Sequence, residues 1–361
     1  MLEKFRITVF NCLIMKKSKL FVSLAAGLTA FTVIAGSTTP VHRPLIEEYT
    51  GTWCGWCVRG IVGMELLSQT FGDDFIGVAY HNDDAMQVLE ESAYPNSFWG
   101  YPAAFVERYY DIDPLYGYGY NTGGIVDFMQ QVAATTTIAG IDVKAEWTTA
   151  DRTAIKVNVT SYFTVDENSG KYAIEVMLIA NDLYGTGSGW NQANYYNDYT
   201  EMADDAYLGE WVSKPEIVTG YHFNDVLVGT SGVVRGSLPT NLTAQVDYSY
   251  DYTFTLSKLP NPALIQNKDN LHVIAIVVNT DNKRAINANR CNIDNYVAVV
   301  PGDVNNDGDV NITDVSVLID SILSRNYDSI NTANADVDGD GEIKITDVTS
   351  LIDLLLFGNQ N

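Results

Sequence analysis

Near the C-terminus a twelve-residue pattern occurs twice at a 33-residue offset, as DVNNDGDVNITD (303–314) and DVDGDGEIKITD (336–347). Like charges gathered in so short a loop repel unless a cation sits among them, so this repeat constrains the fold more than any other feature. Oxygen-bearing side chains fall at loop positions 1, 3 and 5: Asp303, Asn305 and Asp307, then Asp336, Asp338 and Asp340. Gly308 and Gly341 occupy position 6, where the backbone must turn sharply. Position 7, Asp309 and Glu342, offers a backbone carbonyl, and a carboxylate closes each loop at position 12, Asp314 and Asp347. Calcium takes roughly six to eight hard oxygens at this spread, and no softer ligand lies in either loop. The spacing predicts two calcium ions, one per loop.

A helical period follows each loop. Val315, Leu318, Ile319, Ile322 and Leu323 predict one apolar face, answered by Val348, Leu351, Ile352, Leu355 and Leu356. Residues 301–361 hold 12 acidic and 2 basic residues, a net −10 within the chain's −24. A full EF-hand has a helix before each loop, whereas NYVAVVPG before Asp303 reads as a strand, and Asp replaces Glu at position 12. With these departures the repeat resembles type I dockerin modules, which use a loop and a helix twice. The resemblance covers 301–361 and implies a small α-helical calcium module that docks onto a cohesin partner. It also implies that Ile312/Thr313 and Ile345/Thr346 help set partner choice, their identity permitting two binding orientations. The competing reading is a calcium-stapled terminal domain with no cohesin partner.

The other end of the chain speaks to compartment. Lys16, Lys17 and Lys19 precede the apolar run LFVSLAAGLTAFTVIA (20–35), with Val33 and Ala35 small at the −3 and −1 positions of a cleavage site. This predicts a signal peptide over 1–35, with Met15 as an alternative start. Export to the periplasm, the outer membrane or cell surface, or the medium is then expected. No later stretch reaches the roughly 18 apolar residues of a membrane span. Cleavage removes five basic residues (Lys4, Arg6, Lys16, Lys17, Lys19) and one acidic one (Glu3), taking the charge from −24 to −28. Nucleic acid and anionic membrane are poor partners for such a surface. Cys54, Cys57 and Cys291 remain, too few to build a disulfide scaffold, so stability must come from apolar cores.

Between these ends the texture changes once. Residues 36–136 alternate strand and helix signals: PLIEEYT, the helical VRGIVGMELLSQTFG, DFIGVAYHN, a third strand AAFVERYY, and a closing helix over 123–136. Residues 137–298 run through strand-like segments such as AIKVNVTSYFTV, YAIEVMLIAN and HVIAIVVNT, which predicts an all-β sandwich. The expected fold is therefore multidomain: an α/β domain, a β-sandwich, and the small α tail.

Cys54 and Cys57 stand in EEYTGTWCGWCVRG (47–60), where a strand pattern turns into a helix pattern. A zinc site lacks its second C-x-x-C, and haem attachment lacks a His, since Val58 follows Cys57. An inert disulfide and a redox-active pair both remain compatible with the motif. Three neighbours favour the second. Cys54 would sit at a helix N-terminus, where unpaired N–H groups and the dipole stabilise a thiolate. Glu48, six residues earlier, is placed to point beneath the pair and accept a thiol proton. Pro102, just before a strand, suits a cis-proline turn.

EEYTGTWCGWC followed by GYPAAF resembles the thioredoxin superfamily, in pattern the catalytic domains of protein disulfide isomerase. The resemblance implies that Cys54 attacks, Cys57 resolves, Glu48 relays the proton, Pro102 shapes the substrate groove and Trp53 covers the disulfide. Clients would be protein thiols and disulfides. Trp56 departs from the isomerase pattern, where a His favours the oxidised-side chemistry. Residues 40–298 as a whole look like thioredoxin-like outer-membrane-associated proteins of Bacteroidetes. A thiol-disulfide oxidoreductase is thus the leading expectation. The alternative is a non-catalytic envelope scaffold that keeps a degenerate thioredoxin fold, with the dockerin for assembly. His81 reads as an exposed loop residue, Cys291 as a buried sandwich thiol, and the tyrosines of 109–120 and 194–200 as packing rather than sugar contacts.

Overall fold

The structure, a computed structural model, describes residues 39–119, 121–296 and 299–358. The expected signal peptide over 1–35 lies outside these residues. Strand β1 (Leu45–Thr50) is buried along its whole length, including two consecutive glutamates. A 3₁₀ turn (Gly55–Cys57) leads into α1 (Val58–Phe71), which stops at Gly72, whose φ of 56° suits a residue without a Cβ. Strand β2 (Ile76–His81) returns parallel to β1, with Leu45 opposite Ile76 and Thr50 opposite His81.

On the other side of β1, β3 (Ala103–Val106) runs antiparallel, with Glu48 opposite Ala104, and β4 (Tyr110–Ile112) folds back on β3. The single strand expected over AAFVERYY is therefore a hairpin. Glu107 and Arg108 take φ of 56° and 57°, and the Tyr109 N–H donates to Val106 O at 3.1 Å, closing a turn whose hand matches the strand twist. Helix α2 (Gly124–Ala133) buries Ile125, Met129 and Val132, one helical face, against Met64 and Leu67 of α1 and Ile46 of β1.

The β-rich middle begins with β5 (Ala139–Trp147), β6 (Ala154–Phe163) and β7 (Tyr172–Ala180). A long excursion follows, carrying β8 (Gln192–Ala193), the single turn α3 (Gly209–Val212) and β9 (Ile217–Val218). The chain returns as β10 (Val226–Thr230) and ends the sheet with β11 (Tyr248–Thr255), β12 (Leu271–Asn279) and β13 (Ala285–Asp294). Eleven strands form one mixed sheet, in the order β11-β6-β5-β13-β12-β7-β10-β2-β1-β3-β4.

Separate α/β and β-sandwich domains were expected, and β10 is what joins their strands into one sheet. Val226 lies opposite Ala180 of antiparallel β7 and opposite Ala79 of parallel β2, and the Ala79 N–H donates to Asp225 O at 2.7 Å. The physical reason is visible in β7 and β12, whose side chains are apolar on both faces. Ile174, Val176, Val273 and Val277 pack with Val143, Val157 and Trp147 of β5 and β6, so that end of the sheet folds over itself. Met177, Ile179, Ile274 and Ile276 face the other way and pack with Tyr49, Val78 and Tyr80. A wall that is apolar on both sides needs a layer on each.

In the tail, α4 (Ile312–Ser324) and α6 (Ile345–Phe357) bury Val315, Leu318, Val348 and Leu351 around Val304 and Ala335. Leu323, Ile352, Leu355 and Leu356, expected on the apolar faces, are exposed instead, Leu323 and Leu356 the most. At roughly 100° per residue, a position eight on from Val315 or Val348 has drifted about 80° off the buried line. A single helical turn, α5 (Thr332–Ala335), precedes the second loop, and Val299 and Val300 before the first are irregular where a strand was expected. Among the described residues no helix is long and apolar enough to cross a membrane.

Candidate functional site

Cys54 and Cys57 are joined by a disulfide across the 3₁₀ turn, with their Cα atoms 5.3 Å apart. The turn is held by its own backbone, Cys54 N–H donating to Gly51 O and Cys57 N–H to Cys54 O, both at 3.0 Å. Cys57 is wholly buried and Cys54 is 6% exposed. The excursion between β7 and β10 lies directly on this turn. The Ala193 N–H donates to Thr52 O (2.7 Å), the Gln192 side-chain amide to Cys54 O (3.0 Å) and the Tyr195 N–H to Gly55 O (3.1 Å). A Cβ on Gly55 would lie 2.3 Å from the Tyr195 ring, so the close approach requires glycine. Trp56 stands edge-on to both Tyr195 and Tyr196.

On the opposite side the turn is open. Trp53 is half exposed, its indole N–H donating to Asn82 O (2.8 Å) and its ring edge-on to Tyr101. The Tyr101–Pro102 peptide is cis, and Pro102 lines an open groove of about 500 Å³ with Trp99, Asp111 and Tyr118.

The two glutamates of β1 point to opposite faces and meet different fates. Glu47 is paired: Arg108 reaches it through Nε (3.0 Å) and Nη2 (2.9 Å), the Tyr80 hydroxyl donates to it (2.7 Å), and Arg108 also holds Glu175 (2.7 Å). Glu48 turns toward α1, where a Cβ on Gly60 would fall 1.7 Å from its Oε1. That oxygen is buried and has no hydrogen-bond partner. Burial pushes the Glu48 carboxyl up to about 8, against a lowering hydrogen bond from Thr50, with Asp225 and Asp113 adding to the rise. A carboxyl in this state is protonated at neutral pH and can donate. His81, expected to be exposed, is buried at the end of β2 with Nδ1 on Asp84 (2.6 Å), because Asp84 folds back to accept the Thr52 and Met86 N–H groups. Cys291 is half-buried on β13.

The two acidic loops close on their own carboxylates. In the first, Asp303 accepts the N–H groups of Asp307 (3.0 Å) and Gly308 (3.2 Å), while buried Asp314 accepts those of Asn305 (3.0 Å) and Asn311 (2.9 Å). In the second, Asp336 accepts Gly341 N–H (3.0 Å), and buried Asp347 accepts Val337 and Lys344 (both 2.8 Å). Position 12 thus ties the start of each loop to its end. Gly308 and Gly341 take φ of 93° and 86°. Carboxylate oxygens of Asp336, Asp338 and Asp340 all lie within 4.8 Å of one another, and Asp336 Oδ1 is buried with no partner. Three converging hard oxygens, one of them orphaned, fit Ca²⁺. Asn305, Asp307 and Asp309 in the first loop, and Glu342 in the second, sit at the equivalent turns, each loop stitched by i to i+2 side-chain bonds.

Asp225, Gln192 and Tyr195 are the residues that reading the sequence misses. Gln192 and Tyr195 reach the disulfide turn and Asp225 reaches the Glu48 cavity, all from the chain that follows β7, and no local pattern marks them.

Residues 301–356 match the family described as Dockerin type I domain, so the tail is similar to a dockerin module. No curated protein matches the chain. Among solved structures, HBP35 of Porphyromonas gingivalis is similar at a TM-score of 0.46 and 13% identity, over 71% of this chain and 76% of that one. A protein from Agrobacterium tumefaciens is similar at 0.40 and 10%, over 72% and 98%. A domain of the outer membrane lipoprotein Omp28 from Porphyromonas gingivalis follows at 0.24 and 17%, over 45% and 92%. Likenesses this distant carry no argument here.

Proposed function

We propose that this is an exported protein held in an assembly by its tail: the dockerin module, loaded with two Ca²⁺, docks onto a cohesin module and tethers the β-rich body. The observation that carries this reading is the repeated Ile-Thr pair at loop positions 10 and 11. Ile312 and Ile345 are 70% and 64% exposed, unusual for isoleucine beside a small core. The test is binding of the full chain to immobilised type I cohesin modules, with calcium and with chelator. Binding should need calcium and survive replacement of either Ile-Thr pair by charged residues, but not of both. Equal binding in chelator, or loss on changing one pair, would sink it.

A second reading is favoured by one further observation, the buried and orphaned Oε1 of Glu48 against the first turn of α1, the helix that follows Cys57. With the open face of the Cys54–Cys57 turn, this supports a thioredoxin-like body that exchanges disulfides with client proteins. Cys54 would meet the client sulfur, Cys57 would resolve, Glu48 would carry the proton, and Pro102 and Trp53 would border the groove. Cys57→Ser should trap mixed disulfides with clients and Cys54→Ser should not. Equal trapping by both, or by neither, removes the assignment.

A further inference from the structure

Against α1, on the Glu48 side of β1, lies a cavity of about 30 Å³. A space of this size holds about one water. Three carboxyl groups from separate elements line it: Glu48 on β1, Glu65 on α1 and Asp225 just ahead of β10. Asp225 is buried, while Glu65 is half-buried and accepts the Tyr221 hydroxyl; exposed Asn224 stands at the rim. The cavity therefore runs from Glu48, six residues before Cys54 on the strand that leads into the disulfide turn, toward the exposed rim, with a carboxyl group at each stage.

The charges facing it are few. His81 of β2 is held by Asp84, and Asp113 beyond β4 adds negative potential at Glu48. Arg290 of β13 is the cation that draws Asp225 down, and it is shared with Phe75 O (3.2 Å) and Asp73 (3.8 Å). Burial outweighs it and pushes Asp225 up to about 7, with Glu65 adding to the rise. Glu48 and Asp225 raise each other's proton affinity, so they titrate as a pair in two steps.

We propose that Asp225 is a positioning residue for disulfide exchange, keeping Glu48 protonated across the cavity and, with Glu65, passing protons between Glu48 and solvent. This rests on the second reading above. A client thiolate attacks Cys54 Sγ, the Cys54–Cys57 bond breaks, and its electron pair leaves on Cys57. Glu48 gives Cys57 its proton and is reprotonated from solvent through the cavity. The client's second thiolate then attacks the client sulfur of the mixed disulfide and releases Cys54, which takes a proton from solvent. The client dithiol loses two electrons and two protons, and the protein disulfide gains both.

The test uses the full chain, with dithiothreitol as the reducing probe and tryptophan fluorescence as the readout. Reduction rates are expressed per dithiothreitol thiolate, from about pH 5 to 9, to cover both steps of a coupled pair. The wild type should slow in two steps as pH rises, and Glu48→Gln should be flat. Asp225→Asn, whose side chain suits the φ of 57° at this position, should show one step, shifted down by about one unit and so about tenfold slower above it. Asp225→Glu should restore two steps. An Asp225→Asn profile that overlays the wild type overturns the role of Asp225 while leaving Glu48 in place. A wild-type profile as flat as that of Glu48→Gln overturns the exchange reading itself. Should Asp225→Asn not fold, infrared titration of the wild-type carboxyls decides: a single step in the ordinary carboxylate range overturns the proposal, and two steps near neutrality support it.

Discussion

The dockerin tail and the β-rich body both crowd carboxyl groups, and they neutralise them by opposite means. In the second loop Asp336, Asp338 and Asp340 sit near water with their oxygens within 4.8 Å of one another, where a divalent ion can reach them. On β1 the acids are inside. Glu47 is matched by the planar fork of Arg108, and Glu48 has no cation, only Thr50 and its own proton. Access to water decides which solution is open: an ion must shed its hydration shell to enter a strand interior, whereas a proton or a preplaced guanidinium need not.

The comparison breaks most visibly if calcium is withdrawn. An ion held at about 1,000 times its Kd stabilises a fold by about 4 kcal/mol, and the tail has two loops. In chelator, amides of α4 and α6 should lose hydrogen-exchange protection while the body keeps its own, and Asp303→Ala or Asp336→Ala should each do half as much. Protection that survives chelation would mean the loops close without metal.

Arg108→Ala should come next. It strands Glu47 and Glu175 in the interior, and breaking such a pair costs about 3–5 kcal/mol. Denaturant midpoints of the body measure it, and Arg108→Met with Glu47→Gln and Glu175→Gln should recover most of the loss. If Arg108→Ala is neutral, water already reaches Glu47.

Smaller, and opposite in sign to most carboxylates, is the effect of pH on Glu48. Its folded affinity is raised from 4.5 to about 8, so the folded state binds the proton that the unfolded chain releases. The contribution is complete below about 4.5 and is lost as pH rises through about 8, on the order of a few kcal/mol. Glu48→Gln should flatten stability across that window. A wild type that grows more stable from pH 5 to 8 with no difference from Glu48→Gln would show an ionised carboxylate. Last is Lys344→Ala. Lys344 bridges Asp340 and Glu342 at the surface, and its removal should leave stability in calcium unchanged within error, by the same midpoint measurement.

How much of this was legible in the sequence follows from how local each signal is. Calcium ligands at positions 1, 3, 5 and 12 must lie within one loop, so Asp303 through Asp347 could be read directly, as could the C-x-x-C turn and Glu48 six residues before it. The family match bears out a dockerin-like tail at 301–356 and the structure shows the Cys54–Cys57 disulfide; neither tests the ligand roles or the chemistry of the pair. Long-range partners were not legible. Nothing near HFNDVL says that Asp225 faces Glu48, and nothing in GWNQANYY says that Gln192 and Tyr195 cover Cys54 and Gly55. AAFVERYY misled because Glu107 and Arg108 adopt left-handed φ without glycine or asparagine to announce a turn. His81 misled because Asp84, not solvent, was its partner.

The place of β10 between β2 and β7 has a consequence for how the chain is made. Synthesis runs from the N-terminus, so β2 emerges long before the strand that covers its outer edge. That edge, IGVAYH, contains no lysine and no proline to discourage pairing with a neighbour. Translation adds about 5–20 residues per second, so the roughly 150 residues between β2 and the end of β10 take on the order of 7–30 s. For that interval the nascent chain carries a bare, sticky strand, and productive folding of this protein is a matter of timing as much as of sequence.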